Sequence, residues 1–162
     1  MLSGDEIRRL GIVASAAPDH FQPNGVDLTL DAVWLLNDAG VLGRSASHRH
    51  LPGRQELAFD RDDWLRLEPG AYGIRYGEWV ALPANCSALV FPRSSLLRMG
   101  LHVPTAVWDA GYAGRGEGLL MVSNPHGVRL QRGARIVQLV VFGLGEPASA
   151  GYAGAYQHEN RA

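Results

Sequence analysis

The chain has 162 residues and a formal net charge of −1, with an isoelectric point near 6.6. That length buries one core and not two, so a single domain over residues 1–162 is expected, and the bulk charge gives no electrostatic case for a nucleic-acid or membrane partner. The 15 basic residues are all arginine, which suits planar, two-pronged contacts to carboxylate or phosphate. The lone Cys86 excludes an intrachain disulfide and any cysteine-rich zinc site, so a reducing, cytoplasmic setting is expected.

Ser3-Gly-Asp-Glu6 reads as a capping box before Ile7 and Leu10, with Gly11 ending a short helix. This amino terminus lacks an apolar run long enough for a signal peptide or a membrane span. Residues 18–25 (PDHFQPNG) form a turn-rich connector, and VDLTLDAVWLL then enters the core as a strand. From Asn37 to Arg66 the sequence is polar. His48 and His50 flank Arg49 there, and they read as loop residues with no ligand role.

Leu67–Val80 reads as strand, Pro-Gly turn, strand, and LPANCSALVF as another turn and strand. Pro92 closes that strand. Ser94 or Ser95 then stands where a helix N-cap belongs, ahead of Leu96, Leu97 and Met99, with Gly100 as the stop. An arginine just before a helix N-terminus suits a phosphate, because the free N–H groups, the hydroxyls and the Arg93 guanidinium converge on one anion.

Past Asp109, GLLMVS reads as a buried strand and Asn124–Gly127 as a tight turn. VRLQRGAR is then a strand and turn, and IVQLVVF a strand buried on both faces. Many short strands with Gly/Pro turns and almost no helix imply an all-β distorted barrel or jelly-roll-like sandwich, with one short N-terminal and one short internal helix. Residues 145–162, rich in glycine and alanine, read alone as a loose tail.

Five segments in order resemble the trimeric dUTPase and dCTP deaminase superfamily. They are Gln22–Leu28 (QPNGVDL), Arg93-Ser94-Ser95, Asp109 to Gly114 (DAGYAG), Arg135-Ile136-Val137-Gln138, and Tyr156-Gln157. On residue type alone Asp109 is equally a turn aspartate, Asp27 a structural residue at a strand start, and Tyr112 a core tyrosine. The resemblance implies cleavage of dUTP to dUMP and pyrophosphate, with Asp109 activating the attacking water.

By the same resemblance, Arg93, Ser94 and Ser95 grip the phosphates, and Gln138 holds a phosphate or the water. Asp27 meets magnesium through water. Tyr112, beside Gly111, packs on the deoxyribose, and backbone groups of Ala106, Val107 and Trp108 read uracil. The tail closes over the nucleotide with Tyr156 and Gln157, and three subunits combine to build each site.

Arg98, giving R-S-S-L-x-R, and Tyr156-Gln157 lean toward the deaminase side and the archaeal-type dUTPases. The deaminase glutamate falls three residues before the asparagine that ends the following strand. Counted back from Asn124 that position is Met121, and a thioether cannot carry protons. Glu117 lies nearby, in a local insertion at Gly114–Gly118. The archaeal-type dUTPase is therefore the favoured reading, ahead of a dCTP deaminase or bifunctional enzyme and of a non-catalytic nucleotide-binding barrel. The HENRA ending departs from the arginine-containing glycine-rich motif of common dUTPases and leaves Arg161 as the one basic residue beyond Tyr156-Gln157.

Overall fold

The computed structural model describes residues 1–161. It opens with α1 (Gly4–Arg9), β1 (Phe21–Gln22), β2 (Gly25–Leu36), β3 (Val41–Leu42), β4 (Arg49–His50) and β5 (Arg54–Glu56). Next come β6 (Trp64–Leu67), β7 (Gly70–Tyr76), β8 (Val80–Ala81), β9 (Cys86–Pro92) and α2 (Ser94–Arg98). The last elements are β10 (Leu101–His102), β11 (Ala113–Gly114), β12 (Glu117–Val122), β13 (Val128–Gln131) and β14 (Arg135–Gly143). This is the all-β, barrel-like architecture with two short helices that the strand pattern implies. No helix among the described residues is long and apolar enough to cross a membrane.

One sheet runs β10-β12-β7-β2-β14-β9, with β1 and β5 also on β2. The long strand β2 organises it. Its first half pairs with β14 and its second with β7, and the register shifts against both partners, between Arg135 and Val137 and between Leu30 and Ala32. Such bulges bend a strand and sharpen its twist, and the bend curls the sheet toward closure. The fully covered Val26, Leu28, Leu30, Ile74, Leu120, Ile136 and Leu139 fill the interior, where burying each such side chain is worth roughly 1.5–3 kcal/mol.

The Ser3/Glu6 capping box forms, and Gly11 takes a left-handed φ of 66° just past α1. Two local expectations fail. Arg93, not Ser94 or Ser95, is the N-cap of α2, and no side chain caps it, so both serines sit inside the first turn. The Pro69-Gly70 corner makes no hairpin either: β6 pairs with β13 while β7 pairs with β2 and β12, so the corner carries the chain between sheets.

The tail also departs from its composition. Tyr152 N–H donates to the Ala110 carbonyl at 2.8 Å and His158 N–H to Ala113 at 2.7 Å, and Tyr152 packs on the main core. Glycine and alanine content signals chain entropy. It says nothing of partners more than forty positions away.

Candidate active site

A cavity of about 670 Å³ opens between Trp34 on β2, the segment Ala106–Tyr112, the start of β12, the arm residues Leu51, Pro52 and Arg54, and the tail residues Tyr152, Tyr156 and Glu159. Of the expected site residues, Ala106, Val107, Trp108, Asp109, Tyr112 and Tyr156 line it. The segment is pinned at both ends. Trp108 and Ala88 exchange both backbone hydrogen bonds at 2.9 Å, and Leu82 N–H donates to the Tyr112 carbonyl at 2.8 Å. Gly111, with φ of 83°, makes the turn between them, since a left-handed backbone is cheap only without a side chain.

That pinning corrects one expectation. Trp108 cannot read a base with its backbone, because β9 already occupies its N–H and C=O. Asp109 is exposed on the cavity wall, and its carboxylate makes no hydrogen bond or ion pair among the described residues. Its backbone carbonyl accepts the Tyr112 N–H at 3.1 Å, so the turn role and a free carboxylate coexist in one residue.

Tyr112 is only 6% exposed. Its ring meets Trp108 edge-on at 5.2 Å and Tyr152 at 5.9 Å, and its hydroxyl donates to Glu159 Oε1 at 2.8 Å. Burial, and then the bond to Glu159, push the phenol far above its ordinary range. Burial and the neighbouring Glu117 also push the Glu159 carboxyl up, against the pull of the Tyr112 hydroxyl and Arg54. Gln157 does not line the cavity. Its amide donates to the Gly111 carbonyl and accepts from Ala113 N–H, both at 2.9 Å, so in this conformation it clasps the tail to the chain rather than facing a ligand.

The remaining expected residues form a second cluster, built by sheet register. On β14, Gln138 stands opposite Asp27 of β2 and Phe91 of β9, and Arg93 N–H donates to Ile136 at 3.0 Å. The Arg93 and Arg135 guanidinium groups lie 3.4 and 3.7 Å from Asp27 Oδ2. Asp27 itself is 1% exposed. Burial pushes its carboxyl above the usual carboxylate range, and Arg93 and Arg135 offset this only in part. Ser94, Ser95 and Arg98 are exposed on α2. None of Asp27, Arg93, Ser94, Ser95, Arg98 and Gln138 lines the cavity.

The Asp27 geometry does not fit a water-mediated magnesium contact. A hydrated cation needs an open, anionic face, whereas this carboxylate is buried under two cations. No group of three metal-ligating side chains occurs among the described residues.

Met121 is exposed on β12, opposite Ala71 and His102, and does not line the cavity. Glu117 does line it, but one oxygen accepts from Arg54 at 2.8 Å and from Asn160 at 3.2 Å.

Trp34, Arg54, Tyr152 and Glu159 line the cavity without having been singled out. The buried Glu78, whose two oxygens accept from the Thr29 N–H and hydroxyl at 2.8 Å, also escaped notice. The one usable signal was the pair of tyrosines in an otherwise small-residue tail.

A profile of the dCTP deaminase-like family matches residues 1–144. The chain is 40% identical to a probable deoxyuridine 5′-triphosphate nucleotidohydrolase of Methanosarcina mazei, over 99% of this chain and 98% of that one. It is 44% identical to a protein of the same description from Aeropyrum pernix, over 98% of each. Among solved structures, a 2′-deoxycytidine 5′-triphosphate deaminase from Agrobacterium tumefaciens superposes with a TM-score of 0.65 at 22% identity. That match covers 86% of this chain but only 47% of the deaminase, and it speaks to the fold. Family profile, relatives and fold agree, and the chain belongs to the dCTP deaminase-like family.

Proposed function

We propose that the protein is a dUTP diphosphatase, hydrolysing dUTP to dUMP and pyrophosphate. Support comes from two relatives described as deoxyuridine 5′-triphosphate nucleotidohydrolases over nearly their full length. The observation that carries the reading is the exposed carboxylate of Asp109, without a side-chain partner among the described residues, at the wall of an aromatic cavity. There it orients a water and accepts its proton as the oxygen attacks the α-phosphorus. The bond from that phosphorus to the α–β bridging oxygen breaks, and pyrophosphate departs.

The cavity takes the nucleoside. The backbone at Ala106 and Val107 faces the base, and Tyr156 and Tyr112 bound the sugar side. Arg93 with the Ser94 and Ser95 hydroxyls, backed by Arg98 and Gln138, takes the phosphates. Asp27 serves that group as an anchor holding Arg93 and Arg135 in place. Magnesium enters as the counter-ion of the substrate's phosphates, and no step is assigned to it.

These two groups do not share the cavity on one chain, so each is half of a site. A homotrimer placing Arg93 of one subunit against Asp109 of the next completes it. Phe91, Leu97, Met99, Val107 and Met121 are exposed on the elements carrying the two halves, and apolar exposure of that kind marks interaction surfaces.

Incubation of the pure protein with dUTP or dCTP and magnesium, with products resolved by chromatography, tests the reading. Pyrophosphate and dUMP from dUTP alone are expected. Conversion of dCTP to dUTP would instead establish a deaminase, and binding of either nucleotide without turnover a non-catalytic module.

A further inference from the structure

The tail docks on the segment 113–117. His158 N–H donates to Ala113, Arg115 N–H to the Glu159 carbonyl at 3.1 Å, and the Asn160 side chain to the Arg115 carbonyl at 2.8 Å. Two docked tail residues, His158 and Asn160, hold left-handed φ values of 62° and 52°, which these two residue types adopt more readily than most, so the tail turns back on itself at both. Glu117 stands at the junction. Its Oε1 accepts from Asn160 of the tail and from Arg54 of the arm, whose guanidinium lies 5.1 Å over the Trp34 ring.

We propose that Glu117 is a positioning residue that latches the tail over the nucleoside cavity, by joining Asn160 to Arg54. Tyr156 and Glu159 of the tail line the same cavity as Asp109. The latch separates Glu117 from proton transfer to a base. An anion already shared by a guanidinium and an amide is set to hold a conformation. The inference rests on the nucleotide-hydrolase reading only for its kinetic consequence. The latch itself is a property of the protein alone.

Two measurements on the full chain test it. In Glu117→Ala, amide hydrogen exchange at Arg115 and His158 should speed up by about tenfold or more while β14 amides stay protected. Asn160→Ala should speed exchange at least as much, since it also removes the bond to the Arg115 carbonyl, and adding Glu117→Ala to it should change the rates by less than about twofold. Kinetically, Glu117→Ala should raise KM for dUTP by about tenfold with kcat within about threefold, and Glu117→Gln, which keeps an acceptor for Asn160, should recover part of the loss. Unchanged exchange at His158 overturns the latch, whether or not the protein turns over dUTP. A kcat fall of about a hundredfold at constant KM overturns it too, by placing Glu117 in the chemistry.

Discussion

The Tyr112 hydroxyl donates to Glu159 Oε1 at 2.8 Å, across 47 positions of sequence. One hydrogen bond thus ties the turn carrying Asp109 to the end of the chain. Tyr112→Phe removes the donor and leaves the part-buried carboxylate short of a partner, at a cost of about 1–3 kcal/mol to tail docking. KM for dUTP should rise by about three- to tenfold while kcat stays within about threefold. Steady-state kinetics decide this, and an unchanged KM would show the contact to be incidental.

The same pair sets a pH dependence. Docking raises the Glu159 carboxyl above its value in a free tail, through burial first and then Glu117, with Arg54 and the Tyr112 hydroxyl opposing. A raised docked value means that docking gains from protonation. That gain is complete below the free-tail value and is lost as pH climbs through the docked one. Exchange protection at His158 should therefore be stronger in mild acid than at neutrality. Glu159→Gln should flatten the dependence, and a slope that survives the substitution would assign it to another group.

Asp109→Asn keeps the shape and hydrogen-bonding capacity of the side chain but removes the proton acceptor. Turnover should fall by about 10² or more with nucleotide affinity within about tenfold. Single-turnover kinetics and calorimetric titration separate the two quantities. Wild-type turnover in the variant would end the general-base assignment.

Asp27 holds two guanidinium groups at once, so its loss should not add to theirs. Asp27→Asn should change stability by less than about 1 kcal/mol, because burial already disfavours the charged carboxylate in spite of the two guanidinium groups. In urea melts, Asp27→Asn combined with Arg93→Ala should cost clearly less than the two single changes together. Strict additivity would mean that the carboxylate and the guanidinium act independently.

Glu78 is nearly covered and accepts from both the N–H and the hydroxyl of Thr29. Glu78→Ala removes both acceptors and leaves the Thr29 N–H unpaired, at a cost of about 1–3 kcal/mol. Thr29 lies opposite Arg135 on β14, so the loss should also weaken phosphate binding without touching the ligand. Melts and pyrophosphate titration check both effects.

What could be read from the sequence divides by range. Ser3 with Glu6, Gly11, Gly100 and the Asn124–Gly127 turn are local, and the structure has them as expected. The turn-flanked runs at Gly25–Leu36 and Arg135–Gly143 are strands, as their apolar pattern implies. Pairing was not legible. Nothing near Gln138 tells that it stands opposite Asp27 and Phe91, or that the Trp108 backbone is already taken by Ala88. The arm from Asn37 to Arg54 reads as solvated loop because small and polar residues prevail in it, yet Leu51, Pro52 and Arg54 wall the cavity and Arg49 lies 5.5 Å over the Tyr156 ring. Contacts between distant segments decide such cases, and a linear reading weights only neighbours.

The final strand ends at Gly143, whereas the cavity is closed by residues from Tyr152 onward. A nonsense codon or frameshift between those points would spare the whole sheet and every residue of the Asp27 and Arg93 cluster. The sheet and the closure of the cavity are thus written in separate stretches of the chain.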